Sequence, residues 1–383
     1  MLDIKPIREN PENVKKGISA KGVSPKLVDE FLALDEKWRD LTKKSEDLRA
    51  EQRRAGEAKE VDRAKELKVD FQKLSEELPE IEKKRDELLL EFPNLPFEDV
   101  PIGKDETQNQ ILRQVGTPTD FDFEVVDYLT LAGKLDLIDV ERAGKVSGSR
   151  FGYLKNEAVL LEFALVEFAM KILIKEGFTP MVPPVLVKSD VMKDMGKTKF
   201  IGDKDAYHLE EDDLYLVGSS EHSIGPYHMG EVLKEEDLPK RYVGFSTCFR
   251  REAGSYGKDT RGILRVHQFD KVEMLSFTTP QDSEKEHEFL LSLQEKLMKA
   301  LELPYQVMEI CTGDMTFADA RQYDINTWLP SENKYRETQS VSNTTDYQAR
   351  GLNTKYQTKD GKKEFVHMLN GTAFAIGRTV IAI

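Results

Sequence analysis

Residues 249–277 read FRREAGSYGKDTRGILRVHQFDKVEMLSF, and the reading of this stretch decides the fold. Just before it, Val243, Phe245, Thr247 and Phe249 alternate with other residues at period two, so residues 242–249 are predicted to form a strand. Residues 264–277 read as a second strand. Between them, residues 253–262 hold three glycines and an Asp-Thr pair, a loop composition. The stretch is therefore predicted to be an antiparallel hairpin. Arg250, Arg251 and Glu252 fall at the end of one strand, and Arg265, His267 and Glu273 fall along the other. Such a hairpin can aim guanidinium forks and carboxylates into one cleft. The planar guanidinium donates bidentate, charge-assisted hydrogen bonds to phosphate, and a carboxylate beside it can receive an amine. A solvated hairpin with paired charges is the plain alternative.

The rest of the chain sets bounds on that cleft. Its 383 residues suffice for two or three domains. The net charge of −14 argues against nonspecific nucleic-acid binding, so any RNA contact needs a local basic surface. Two cysteines, Cys248 and Cys311, exclude a disulfide scaffold or a multi-cysteine zinc site, suit a reducing compartment and read as buried hydrophobes. MLDIKPIREN lacks the apolar core of a signal peptide, and no apolar run approaches a membrane span. A cytoplasmic protein without a membrane partner is expected.

After a short cap over residues 1–26, with a helix start at Asn10-Pro11, an arm is expected. Leu27, Phe31, Leu34, Trp38, Leu41, Ser45 and Leu48 repeat at alternating spacings of four and three. Beyond Gly56, Ala64, Leu67, Phe71, Leu74, Leu78, Ile81 and Leu88 continue the beat, with Arg85 in one apolar slot. A period of 3.5 is the coiled-coil signal, and one break near Gly56 makes two antiparallel helices of roughly 40–45 Å each. Pro79 is predicted to kink the second. Residues 43–68 carry nine Lys/Arg against seven Asp/Glu, a net of +2 in an acidic chain. Arg49, Arg53, Arg54, Lys59 and Arg63 cluster near the turn and could track the phosphates of an RNA helix. An oligomerisation or spacer role for the arm stays open on pattern alone.

Proline-dense residues 92–103 end the arm, with a domain boundary at about 110. A helix plus turn is predicted over 129–145. A helix follows over 156–177, with Ala158, Leu161, Leu165, Phe168, Ile172 and Leu173 on its apolar face, and then an extended proline-led segment over 180–187. Residues 281–301 read as an amphipathic helix. Glu337 and Ser340, three apart, could both face a Mg²⁺, which prefers oxygen ligands; a capped surface turn reads equally well. At the end of the chain a strand reaches Asn370-Gly371-Thr372, and a helix then presents Arg378, which fits phosphate binding or a buried salt bridge.

FRREAGSYGKDTRGILRVHQFDKVE resembles motif 2 of the class II aminoacyl-tRNA synthetases, in the form carried by the seryl-tRNA synthetases. The likeness extends through the N-terminal arm, PNLPFEDVPIGKDE, the motif 1-like helix and proline strand, ETQSVSNTTDYQAR and the motif 3-like VHMLNGTAFAIGRTVIAI. Three departures stand out. Ser219 opens the Ser219-Ser220-Glu221 triplet where the family has Thr, Thr344 stands where Cys is frequent, and Gly351 replaces a frequent second Arg. The chain also stops inside the motif 3 helix, so the catalytic domain is expected to be truncated there. No GxGxxG and no class I HIGH or KMSKS signature occurs, in agreement.

The resemblance implies an α+β chain. An N-terminal antiparallel two-helix coiled-coil arm domain (1–110), which binds tRNA, would precede a class II catalytic domain (111–383) built on an antiparallel sheet of six or seven strands flanked by helices. It implies a homodimer that uses ATP to activate L-serine as seryl-adenylate and transfers it to tRNA(Ser), with tRNA(Sec) as an open second acceptor and no DNA partner. Carried over residue by residue, the ATP site takes Arg250, Arg251, Glu252, Arg265, Val266, Phe269, Glu337, Thr338, Gln339, Ser340 and Arg378. Of these, Arg250 and Arg378 are the catalytic pair, and Glu337 and Ser340 hold Mg²⁺. The serine site takes Ser219, Ser220, Glu221, Arg250, Glu273, Asn370 and Thr372. A carrier-protein ligase of related fold, or a noncatalytic RNA-binding or assembly paralogue, are the rival expectations.

Overall fold

The computed structural model describes residues 1–254, 259 and 261–383. Two compact units divide the chain, Met1–Leu95 and Pro96–Ile383.

In the first unit the heptad slots become the seam of a helical hairpin. Helix α1 spans Lys26–Glu57 and α2 spans Val61–Leu89. Leu27, Phe31, Leu67, Leu74 and Ile81 are buried. The helices run antiparallel. Trp38 meets Arg85, whose guanidinium lies 4.0 Å from the indole centroid, while nearer the tip Arg49 lies 4.6 Å over Phe71 and Arg63 approaches Glu51 at 3.6 Å. Arg85 thus fills its apolar slot by stacking, its stem in the seam and its charge on Asp86. The break comes three residues after Gly56. One glycine in an exposed helix costs only about 1 kcal/mol, so the helix runs through it. It ends where Lys59 takes φ 61°, Glu60 N donates to Ala55 O (2.9 Å) and Lys59 N donates to Gly56 O (3.1 Å), a Schellman cap. Pro79 lies inside α2, which continues through it.

The second unit is built on an eight-stranded sheet. Its strands are β1 (Gln110–Val115), β2 (Thr179–Met181), β3 (Lys240–Phe249), β4 (Gln268–Thr278), β5 (Tyr305–Glu309), β6 (Arg321–Leu329), β7 (Lys334–Asn343) and β8 (His367–Ala375). Their order is β1-β5-β6-β7-β8-β4-β3-β2. All pairings are antiparallel except β2 with β3. The sheet therefore exceeds the expected six or seven strands. The short proline-led β2 joins the edge in parallel, because a long crossover separates it from β3.

Helix α3 (Glu157–Lys175) packs Leu165, Ala169 and Leu173 on the core and leaves Leu160 and Phe163 exposed. Helix α4 (Ser283–Ala300) lays Leu290, Leu293 and Leu297 on the sheet. It also buries Gln294, whose amide nitrogen donates to Ser340 O (2.7 Å) and Thr372 O (2.8 Å). Those two carbonyls need a donor because β7 and β8 pair only over Val341–Asn343 and Leu369–Gly371 and then part. Gln339 Nε2 reaches across the same gap to Ala373 O.

The predicted hairpin is β3 and β4, with Glu273 opposite Gly244. Residues 264–267 precede β4 instead of belonging to it, so Arg265 and His267 are not strand residues. Arg250 N donates to His267 O (2.9 Å) while His267 N turns to Arg150 O (3.0 Å), which takes that segment off the ladder. Of the loop predicted over 253–262, residues 255–258 and 260 lie outside the described residues. Strand β8 runs to Ala375, three residues past the expected end, before helix α5 (Ile376–Ala382).

Candidate active site

Strand period two sends alternate residues of β4 to one face, and the parting of β7 from β8 opens that face to two adjoining cavities of about 250 and 640 Å³. Arg250, Lys271, Glu337, Ser340 and Asp205 line both. The smaller cavity adds Glu252, Arg265, Val266, Phe269, Thr338, Thr372 and Arg378. The larger adds Ser219, Glu221, Glu273 and Asn370.

Arg250 is fixed from two sides. Its Nε donates to Gly218 O (3.0 Å), and its guanidinium carbon lies 5.3 Å from the Phe269 ring centroid. Gly218 N in turn donates to His222 Nδ1 (3.2 Å), and a Cβ on Gly218 would stand 2.7 Å from the Phe200 ring. Opposite, Arg378 Nη1 contacts the carbonyl of Glu337 (2.8 Å) and its carboxylate (3.2 Å). Arg265 Nη1 pairs with Glu252 Oε2 at 2.7 Å. Burial pushes the Glu337 carboxyl upward, but Arg378 and Arg250 outweigh it and hold it below the ordinary range. Asp324, buried behind Glu337, is pushed well above its usual value by burial and by that neighbouring carboxylate.

In the larger cavity Glu273 is buried, with Oε2 2.5 Å from Lys271 Nζ and accepting from Thr372 Oγ1 at 3.2 Å. Glu221 is also buried and takes Gln348 Nε2 at 2.7 Å. Burial alone would raise its pKa; the Lys197 ammonium reverses that and brings it to about 2. His222 is itself held neutral by burial and by Lys197.

Three of the expected residues lie outside both cavities. Arg251 turns to Ala206 O (3.1 Å) and lies 4.5 Å over the Tyr207 ring. Gln339 faces into the sheet toward Ala373. Ser220 is buried, and its hydroxyl has no hydrogen-bond partner among the described residues. At the arm tip Arg49 and Arg63 are engaged with the arm's own Phe71, Glu51 and Glu66, while Arg53, Arg54 and Lys59 are exposed. Sequence reasoning missed Lys197, His222, Asp324 and Lys271. Lys271 had a signal, since it shares a strand face with Glu273 two residues on; Lys197 and Asp324 had none.

A largely antiparallel sheet with Arg250, just beyond β3, and Arg378 of α5 lining one cavity is what the resemblance to the class II aminoacyl-tRNA synthetases implied. Residues 205–383 match the family model described as tRNA synthetase class II core domain (G, H, P, S and T), and residues 1–96 match that of the seryl-tRNA synthetase N-terminal domain. The chain is 45% identical to the serine–tRNA ligase of Acidothermus cellulolyticus over 100% of its own length and 93% of that protein's. It superposes on seryl-tRNA synthetase from Pyrococcus horikoshii, solved with ATP, with a TM-score of 0.94 at 40% identity, covering 100% of this chain and 93% of that one. The cytoplasmic serine–tRNA ligase of Naegleria fowleri, solved with AMP, gives 0.91 at 33% identity, covering 100% and 92%. The chain belongs to the seryl-tRNA synthetase family.

Proposed function

We propose that the smaller cavity takes ATP and the larger takes L-serine, with Arg250 at their junction. Support comes from relatives solved with ATP and AMP and from the chemistry of the walls. Phe269 and Val266 offer a flat apolar slot for the adenine, Glu252 an acceptor for its amine, and Arg378 and Arg265 cations for the outer phosphates. Glu221 receives the substrate ammonium, and Glu273 with Thr372 receives its hydroxyl, with Ser219 and Asn370 completing the pocket. Thr338 adds to the wall of the smaller cavity, while Ser220, Arg251 and Gln339 support these walls from behind or beside them.

The serine carboxylate attacks the α-phosphorus, the bond to the bridging oxygen breaks, and pyrophosphate leaves with seryl-adenylate formed. Arg250 neutralises the charge that develops on the α-phosphate, and no covalent enzyme intermediate is needed. The 3′-OH of the terminal adenosine of tRNA(Ser) then attacks the seryl carbonyl and releases AMP. Charging of tRNA(Sec) is a second outcome of the same chemistry. Glu337 and Ser340 are hard oxygen donors on one strand that line both cavities, so they suit Mg²⁺. No cluster of three or more His, Cys, Asp or Glu that could hold a metal occurs among the described residues, so the remaining ligands would be phosphate and water. When bound, the ion would offset phosphate charge.

Arg53, Arg54 and Lys59 at the arm tip supply exposed cations for the tRNA backbone. The exposed outer side of α3, with Leu160 and Phe163 and the nearby Val182 (84% exposed), fits the covered face of a homodimer. No helix among the described residues is long and apolar enough to cross a membrane, and both cysteines are free and buried, which fits residence in the reducing cytoplasm.

The observation that carries this reading is the single cleft in which phosphate-binding cations adjoin two buried carboxylates. Serine-dependent ATP–pyrophosphate exchange without tRNA tests it. Exchange with serine, and far less with alanine or threonine, is expected; its absence from folded protein overturns the reading.

A further inference from the structure

The carboxylate assigned to the substrate amine already holds an amine. Lys197 Nζ lies 2.8 Å from Glu221 Oε1 and 3.0 Å from Oε2. Gln348 adds a third contact. The Lys197 side chain keeps 18% of its exposure while that of Glu221 keeps 8%, so the lysine enters from the solvent side. It precedes the short helix Thr198–Gly202, which has no buried residue, and Lys197, Lys199, Phe200 and Asp203 all line the rim of the larger cavity. Phe200 and Ile201 of that helix pack on a neighbouring apolar cluster, so the ammonium comes from a partly buried segment at the rim, and the carboxylate it holds is buried.

We propose that Lys197 is an ammonium gate: its Nζ occupies the place on Glu221 that the α-ammonium of the amino acid takes, and the substrate must displace it to bind. The inference rests on the assignment of Glu221 to the substrate amine. Exchange of one ammonium for another keeps the buried carboxylate paired throughout, which avoids the large cost of an orphaned buried charge. It also lowers affinity for the substrate, because binding gains only the difference between the two contacts. A molecule without an ammonium cannot open the gate.

Calorimetric titration of serine into the full chain and into Lys197→Met tests the gate, with exchange kinetics alongside. Removal of the competitor is expected to tighten serine binding at least about fivefold and to lower the exchange KM in step. The free variant is expected to melt earlier than wild type and to gain more from added serine. Equal or weaker serine binding in Lys197→Met means that the lysine orients Glu221 without leaving it, and overturns the gate. Should that variant fail to fold, hydrogen exchange on wild type decides. Serine should speed amide exchange over residues 196–204, and slowed or unchanged exchange overturns the proposal. Serine-dependent pyrophosphate exchange combined with weakened binding in Lys197→Met removes the gate alone. No serine-dependent exchange in either protein removes the substrate assignment, and the gate with it.

Discussion

The arm and the catalytic sheet spend their charged residues in opposite ways. On the arm nearly every Lys, Arg, Asp and Glu faces water, and ion pairs such as Lys37–Glu77 join half-exposed side chains. In the cleft the carboxylates of Glu221 and Glu273 are buried, and Glu221 is partnered over long sequence distance by Gln348. Exposed pairs contribute little and are screened by salt, whereas removing one partner of a buried pair leaves an uncompensated charge. The arm is therefore a surface that many substitutions leave standing, while the cleft fails at single atoms.

The sharpest way to break this contrast is at Arg250. Arg250→Ala should lower serine-dependent pyrophosphate exchange about 10²–10³-fold, since it removes a preorganised cation from the transition state. Wild-type exchange in the variant would move the catalytic role elsewhere. Glu273→Ala should raise the serine KM and cut the serine-over-alanine preference by about 10² or more, because a site that bonds a hydroxyl rejects the analogue lacking it. Unchanged discrimination would take Glu273 out of the pocket. On the arm, joint replacement of Arg53, Arg54 and Lys59 by Ala should raise the tRNA KM about tenfold and flatten its salt dependence, with tRNA-free exchange intact. Loss of exchange in that variant would contradict the division of labour.

Acid should separate the two regions as well. Glu221 has its pKa lowered from the usual 4.5 to about 2 in the folded protein. A carboxylate with a depressed folded pKa contributes stability that is present above the unfolded value and lost as pH falls through the folded one. Wild type should thus lose stability between about pH 4.5 and 2 more steeply than Glu221→Gln, as read by chemical unfolding at each pH. Arm helicity offers the smallest effect. Arg85→Met should change stability by about 1 kcal/mol or less, because the stacked guanidinium and a thioether fill the Trp38 slot alike.

The same contrast explains what was legible in the sequence. Heptads are local, so the arm's seam and its antiparallel turn could be read off, with the break expected near Gly56 falling at the Lys59 cap. The hairpin and its arginine and carboxylates were legible through motif and alternation. What stayed hidden was direction and distant company. Arg250 and Arg251 are neighbours just beyond β3, yet one turns into the cleft and the other onto Tyr207. Lys197 precedes Glu221 by 24 residues with no periodic relation, so only the folded chain pairs them.

The gap between β7 and β8 has a consequence for how this enzyme can be damaged. Two side-chain amides, Gln294 and Gln339, stand in for ladder hydrogen bonds where the strands separate. They act as spacers of fixed length, so the mouth of the cleft is gauged by one carboxamide planted on a helix outside it. Shortening or tilting that spacer would let the sheet zip shut by a residue or splay further, and either change would shift Ser340 against Thr372. A position that never meets substrate would then behave in activity screens like one that does.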